Sequence, residues 1–238
     1  MAVKSQKISR ATTVVFLAVQ AVLYYFILTA DGSLLKWTSY ASIVLCFLFA
    51  LLHYGRENRF IILGLACTVG ADYFLVAAPQ QQQLWGMVFF LAAQGFYAVY
   101  LNSCTKNKKV LTARAVLTAF AVAVTFAVLG KGTDALAVIS MCYYANLIIN
   151  ISESVLLLKQ NIMFMFAFIL FLLCDTVIGL QVMLTDYISA SGGFLYNLVF
   201  SGFNLAWFFY LPSQVLLALT TKYGKKPAED ANNVAPNK

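Results

Sequence analysis

The sequence predicts an all-α, polytopic membrane protein, a bundle of eight transmembrane helices, and three observations carry that reading. Hydrophobic residues make up 62% of the chain and charged residues only 11%, too little polar surface to keep a globule in water. The apolar residues come in eight runs of roughly 20 residues or more, the length that crosses the hydrocarbon of a bilayer as a helix. The basic residues gather in the short connections between alternate runs, as positive charge does on the cytoplasmic side of a membrane protein.

The first run, 11–29, follows Lys4, Lys7 and Arg10 like a signal peptide, but its length and the lack of a small-x-small cleavage site favour a retained anchor. Further spans are expected at 35–53, 59–78, 84–102, 110–130, 135–157, 161–184 and 194–220, which makes residues 1–221 one transmembrane domain. The polar tail 222–238 has too few apolar residues to bury and is read as disordered. An even number of spans puts both termini on one side. Of the sixteen Lys and Arg residues, all but Lys36 and Lys131 fall on that side, so both termini are expected in the cytoplasm.

Two aspartates stand deep inside apolar runs, where a charge is costly unless it faces the bundle or a watery cavity and therefore marks a functional site by default. Asp175 lies in the stretch 161–184 among Phe168, Phe171, Leu172, Ile178 and Gly179, an apolar setting that suits a proton-donating acid. Asp72 has Thr68 and Gly70 within a turn of it. The third and seventh helices run in the same direction, and each aspartate comes roughly 20 Å from the inner end of its helix at 1.5 Å per residue. The two carboxyls therefore share a depth and are the candidate acid and base.

The sixth run carries Tyr143, Asn146, Asn150 and Glu153 along one face, which must turn away from lipid. Gln94 in the fourth run, with Asn197, Ser201 and Asn204 in the eighth, is expected to line the same cavity as the aspartates. Interhelical amide bonds that merely hold the bundle explain the stripe equally well. Glu153 is expected near the inner end, solvated or paired with Lys159, and Arg114 is expected to snorkel to the cytoplasmic headgroups. Trp85 and Trp207 read in part as interface anchors.

Several classes of chemistry fall away on composition. The basic residues form no aromatic-interleaved patch for nucleic acid. Cys46, Cys67, Cys104, Cys142 and Cys174 have no CxxC spacing and are expected to be free thiols. The lone histidine, His53, cannot supply a zinc hydrolase, and an aspartate pair would suit at most a magnesium ion, so neither a metal nor another cofactor is expected.

Four motifs carry a resemblance to a known family: Phe171-Leu-Leu-Cys174-Asp175, the GADYFLV around Asp72, Tyr144-Ala145 opening the polar run of the sixth helix, and Tyr210-Leu-Pro-Ser-Gln214 followed by VLLALT to Thr220. In order and helix count they resemble the YhhN family, eight-helix membrane proteins that include animal lysoplasmalogenases. The resemblance extends from about the second helix to the end of the eighth. It implies an intramembrane lipid hydrolase that cleaves the vinyl ether of a lysoplasmalogen to a fatty aldehyde and glycerophospho-ethanolamine or -choline, with Asp72 and Asp175 as acid and base. The expected partners are then a lysophospholipid substrate and the bilayer, while the oligomeric state stays open. The chain departs from the family pattern at Ala71 before the first aspartate, at Cys174 before the second, and at Gln94, where a histidine is common.

Two other classes use the same residues. A transporter or proton-coupled lipid-binding protein would load and release protons on the two aspartates. An intramembrane aspartyl protease also sets two aspartates on separate helices, but Gly-Ala precedes Asp72 and no tyrosine directly precedes Asp175.

Overall fold

In a bilayer each backbone N–H and C=O must find a partner within the protein, and an apolar chain meets that demand most simply as helices. The structure, a computed structural model, describes residues 2–158, 161–187, 193–200 and 203–224, and among these no strand occurs. In chain order the helices are α1 (Ala2–Thr29), α2 (Gly32–Leu52), α3 (Arg59–Asp72), α4 (Gln83–Thr105), α5 (Lys108–Leu129), α6 (Ala135–Leu156), α7 (Ile162–Val182), α8 (Phe194–Val199) and α9 (Leu205–Tyr223). Among the described residues seven helical segments are long and apolar enough to cross a membrane, the last of them 162–185.

Several helix starts are written in polar side chains. Asn107 Oδ1 accepts from Lys109 N at 3.0 Å, Asp134 Oδ1 from Ala137 N at 2.8 Å, and Asn161 Oδ1 from Phe164 N at 3.3 Å, each taking up an orphan amide of a first turn. After Asp72 the α3 backbone widens into a π turn over Tyr73–Ala77, and α7 does the same over Met183–Tyr187. Such widened turns recur at functional sites.

The expected single helix over 194–220 is two. α8 stops at Val199, and α9 starts at Leu205, capped by Asn204, whose Oδ1 accepts from Trp207 N at 3.4 Å. Apolarity extends across the whole run and conceals this break. Helix α9 continues to Tyr223, past the predicted end, and of the tail expected to be disordered only residues 222–224 are described.

Helix α9 packs along α7, and α3 along α4. At one end of the bundle Tyr223 Oη donates to Thr13 Oγ1 at 3.2 Å and Lys222 Nζ also reaches Thr13, so the first and last helices meet there. At the other end Lys36 Nζ donates to the Ala78 carbonyl at 3.1 Å.

The α3–α4 contact depends on Gly64. A Cβ added there would stand 2.3 Å from Tyr97 Cε1. Tyr97 is fully buried and wedged edge-on against Phe164 and Phe168, with ring centroids 6.1 and 5.5 Å away, so it has nowhere to retreat. Gly64→Ala is expected to destabilise the bundle by about 1–3 kcal/mol, the usual cost of overpacking, read as a lower midpoint of thermal unfolding in detergent.

Candidate functional site

Each intramembrane aspartate is held by a tyrosine from another helix. Asp72 at the end of α3 is 3% exposed, and its Oδ2 accepts from Tyr210 Oη of α9 at 2.6 Å. Asp175 on α7 accepts from Tyr143 Oη of α6 on its own Oδ2 and stays partly exposed, and between the same two helices Tyr144 meets Thr176 at 3.2 Å. A hydrogen bond to one oxygen of each carboxyl leaves the second oxygen for other work.

The two tyrosines belong to one aromatic cluster. The Phe90 ring of α4 lies 5.8 Å from Tyr143, 5.7 Å from Phe171 and 6.2 Å from Tyr210, while Phe171 lies 5.4 Å from Tyr210 and 6.3 Å from Tyr143. The sequence Asp72, Tyr210, Phe90 with Phe171, Tyr143, Asp175 thus runs unbroken across the bundle. Helices α3 and α7 make no extended contact of their own; α9 touches both and brings the aspartates into one neighbourhood.

Tyr210 was absent from the residues that sequence alone singled out, although it opens the Tyr-Leu-Pro-Ser-Gln motif. A tyrosine in an apolar run gives no sign of its partner until α9 is placed against α3. One turn further, Gln214 is fully buried and its Oε1 has no partner among the described residues. It lies on the same side of α9 as Tyr210.

The amides expected beside the aspartates are engaged elsewhere. Arg114 reaches inward, with Nη1 donating to Asn146 Oδ1 at 2.9 Å and Nη2 to Asn150 Oδ1 at 2.8 Å and Glu153 Oε2 at 3.3 Å. Thr105 Oγ1 donates to the other Glu153 oxygen at 2.7 Å, and Asn150 Nδ2 donates to Gln94 Oε1 at 2.7 Å. Arg114 therefore does not snorkel to the headgroups, and Glu153 is fixed by Arg114 and Thr105; Lys159 lies outside the described residues. The physical reason is the carboxylate itself, because a buried Glu153 holds the guanidinium inside. Gln94, Asn146 and Asn150 form this separate network, and only Tyr143 of the stripe meets an aspartate. Asn204 serves as the α9 cap, while Ser201 lies outside the described residues.

Trp207 has a definite place in the packing. Its ring packs edge-on against Tyr210 at 5.1 Å and walls a cavity of about 560 Å³ between α2, the π turn after Asp72 and α9. Among the described residues no group of three metal-ligating side chains comes together.

The profile of the YhhN family matches residues 33–221, most of the chain. The chain belongs to the YhhN family. The matched region holds both aspartates, both tyrosines and the Arg114 network, and leaves α1 outside. No curated protein and no solved structure matches this YhhN protein. Gln94 sits one turn along α4 from Phe90, and its Oε1 accepts from Asn150.

Proposed function

We propose that this YhhN protein is an intramembrane lipid hydrolase that cleaves the vinyl ether of a lysoplasmalogen with Asp72 and Asp175 as acid and base. The observation that carries the reading is the pair of tyrosine-held carboxyls joined through one aromatic cluster. One carboxyl, in its neutral form, delivers a proton to the alkenyl carbon farther from the ether oxygen. Positive charge then develops across the adjacent carbon and that oxygen, as in glycoside cleavage. The other carboxylate stabilises this cation and takes a proton from the water that adds to it. The resulting hemiacetal collapses to the fatty aldehyde and the free glycerol hydroxyl. The rings of Phe90 and Phe171 favour a delocalised cation, and Gln214 Oε1 is the group we assign to hold the water. Helix α9 would be the eighth crossing, and the excess of Lys and Arg supports a topology with both termini in the cytoplasm.

Purified protein given a lysoplasmalogen should release aldehyde, and Tyr210→Phe, which keeps the ring and removes one donor, should lower the rate about tenfold, or ~1.4 kcal/mol of barrier. Aldehyde release that never exceeds the protein-free control would reject the hydrolase.

The tyrosine-held aspartates also suit one other reading, a transporter that loads and releases protons on them. Lipid or proton flux into proteoliposomes without hydrolysis would select it.

A further inference from the structure

The cavity walled by Trp207 has chemistry that the aspartate pair does not use. On α2, Lys36 and Ser39 sit one turn apart and are among the residues that line it, with Leu35, Leu75 and Gln81. Lys36 spends one of its three donors on the Ala78 carbonyl, which fixes the ammonium at the rim and leaves two N–H groups to point elsewhere. Ser39 is 1% exposed, and its hydroxyl has no partner among the described residues. Its neighbours behave differently: Thr38 donates to Leu34 O at 2.7 Å and Ser42 to Ser39 O at 2.6 Å, the usual way a helical hydroxyl satisfies itself in an apolar setting. A buried hydroxyl that forgoes this bond is costly unless something in the cavity receives it. No carboxylate lines the space, and Asp31, the nearest acidic residue along the chain, is exposed at the start of α2.

We infer that this cavity is a phosphate subsite, in which Lys36 Nζ and Ser39 Oγ hold the phosphodiester of a lysophospholipid headgroup. The ligand carries one negative charge, matching one ammonium, and its oxygens accept from both groups. Trp207 connects the subsite to chemistry, since the same ring that walls the cavity packs on Tyr210, whose hydroxyl holds Asp72. A headgroup seated at Lys36 therefore directs the glycerol and its ether toward Asp72. The subsite lies at the end of the bundle opposite the meeting of Thr13 with Lys222, so the headgroup enters from the face away from that contact. The choice of lipid rests on the proposed hydrolase, but occupancy of the cavity does not require turnover.

The test uses the full chain in an uncharged maltoside detergent and three probes, with affinity read by calorimetry. These are an ester-linked lysophosphatidylethanolamine, which has no vinyl ether to cleave, a monoacylglycerol of the same chain length, and glycerophosphoethanolamine without a chain. The wild type should bind the lysophospholipid at least about tenfold tighter than the monoacylglycerol. Lys36→Gln should erase that preference, leaving monoacylglycerol affinity and thermal midpoint unchanged, and Ser39→Ala should reduce it severalfold. Lys36-dependent binding of glycerophosphoethanolamine as tight as that of the lysolipid would assign the phosphate to a water-borne diester; weaker binding would assign it to lipid. A wild type without phosphate preference, or one whose preference survives both substitutions, overturns the subsite. A protein that binds as described yet releases no aldehyde loses the proposed hydrolysis and keeps the subsite.

Discussion

Replacing Asp72 or Asp175 by Asn should each lower aldehyde release from a lysoplasmalogen at least about a hundredfold, equivalent to ~2.7 kcal/mol of barrier. The structure makes these substitutions clean. Asn has nearly the shape of Asp, and its carbonyl oxygen can still accept from Tyr210 or Tyr143, so each tyrosine keeps its partner and the aromatic cluster keeps its packing. What is lost is the ability to give or take a proton. The two single variants should be about equally impaired, and the double variant hardly worse than either, because residues that act as one unit lose their effect together. Thermal midpoints close to wild type would show that catalysis, not folding, has been removed. Full activity in both single variants would end the two-carboxylate mechanism.

The second large effect concerns stability. Helix α5 buries little of itself, with Ala121 and Thr125 its buried residues, and Arg114 is its main polar tie to α6. The Glu153 side chain is fully buried and that of Arg114 is 14% exposed. Arg114→Met should destabilise the protein by about 3–5 kcal/mol, since it leaves the Glu153 carboxylate buried opposite no charge and strips two amide oxygens of their donor. Joining it to Glu153→Gln should recover part of the loss, and the double-mutant cycle gives the coupling between the pair. The measurement is unfolding of the detergent-solubilised protein. A change within about 0.5 kcal/mol for Arg114→Met would mean that the network does not hold α5 in place. Because the network stands apart from the aspartates, residual activity per folded molecule should be unaffected.

Much of the site was legible as a list of residues and little of it as a set of partners. Asp72 and Asp175 stood out because a carboxyl in an apolar run is rare and expensive, a property of the residue and its neighbours in sequence. Tyr143 stood out through the periodicity of its helix. Tyr210 did not, because the mate it donates to lies 138 positions away. The same limit misplaced Arg114. Its position near a helix end fits snorkelling as well as burial, and only Glu153 and the amides of α6, brought against α5, decide between them.

Length and apolarity by themselves determined that the chain is a helical membrane protein, since spans and most of their boundaries depend on local hydrophobicity and on caps such as Asn107 and Asp134. Tertiary structure alone decided where the last apolar run breaks. It also set which side of α9 meets α3 and made Trp207 a cavity wall. The reason is that a uniformly apolar run has the same free energy in lipid whichever way it faces, so the sequence carries no local signal of partnership. The pairing of Tyr210 with Asp72, and of Tyr143 with Asp175, comes from helix packing, where each buried polar group must find its complement.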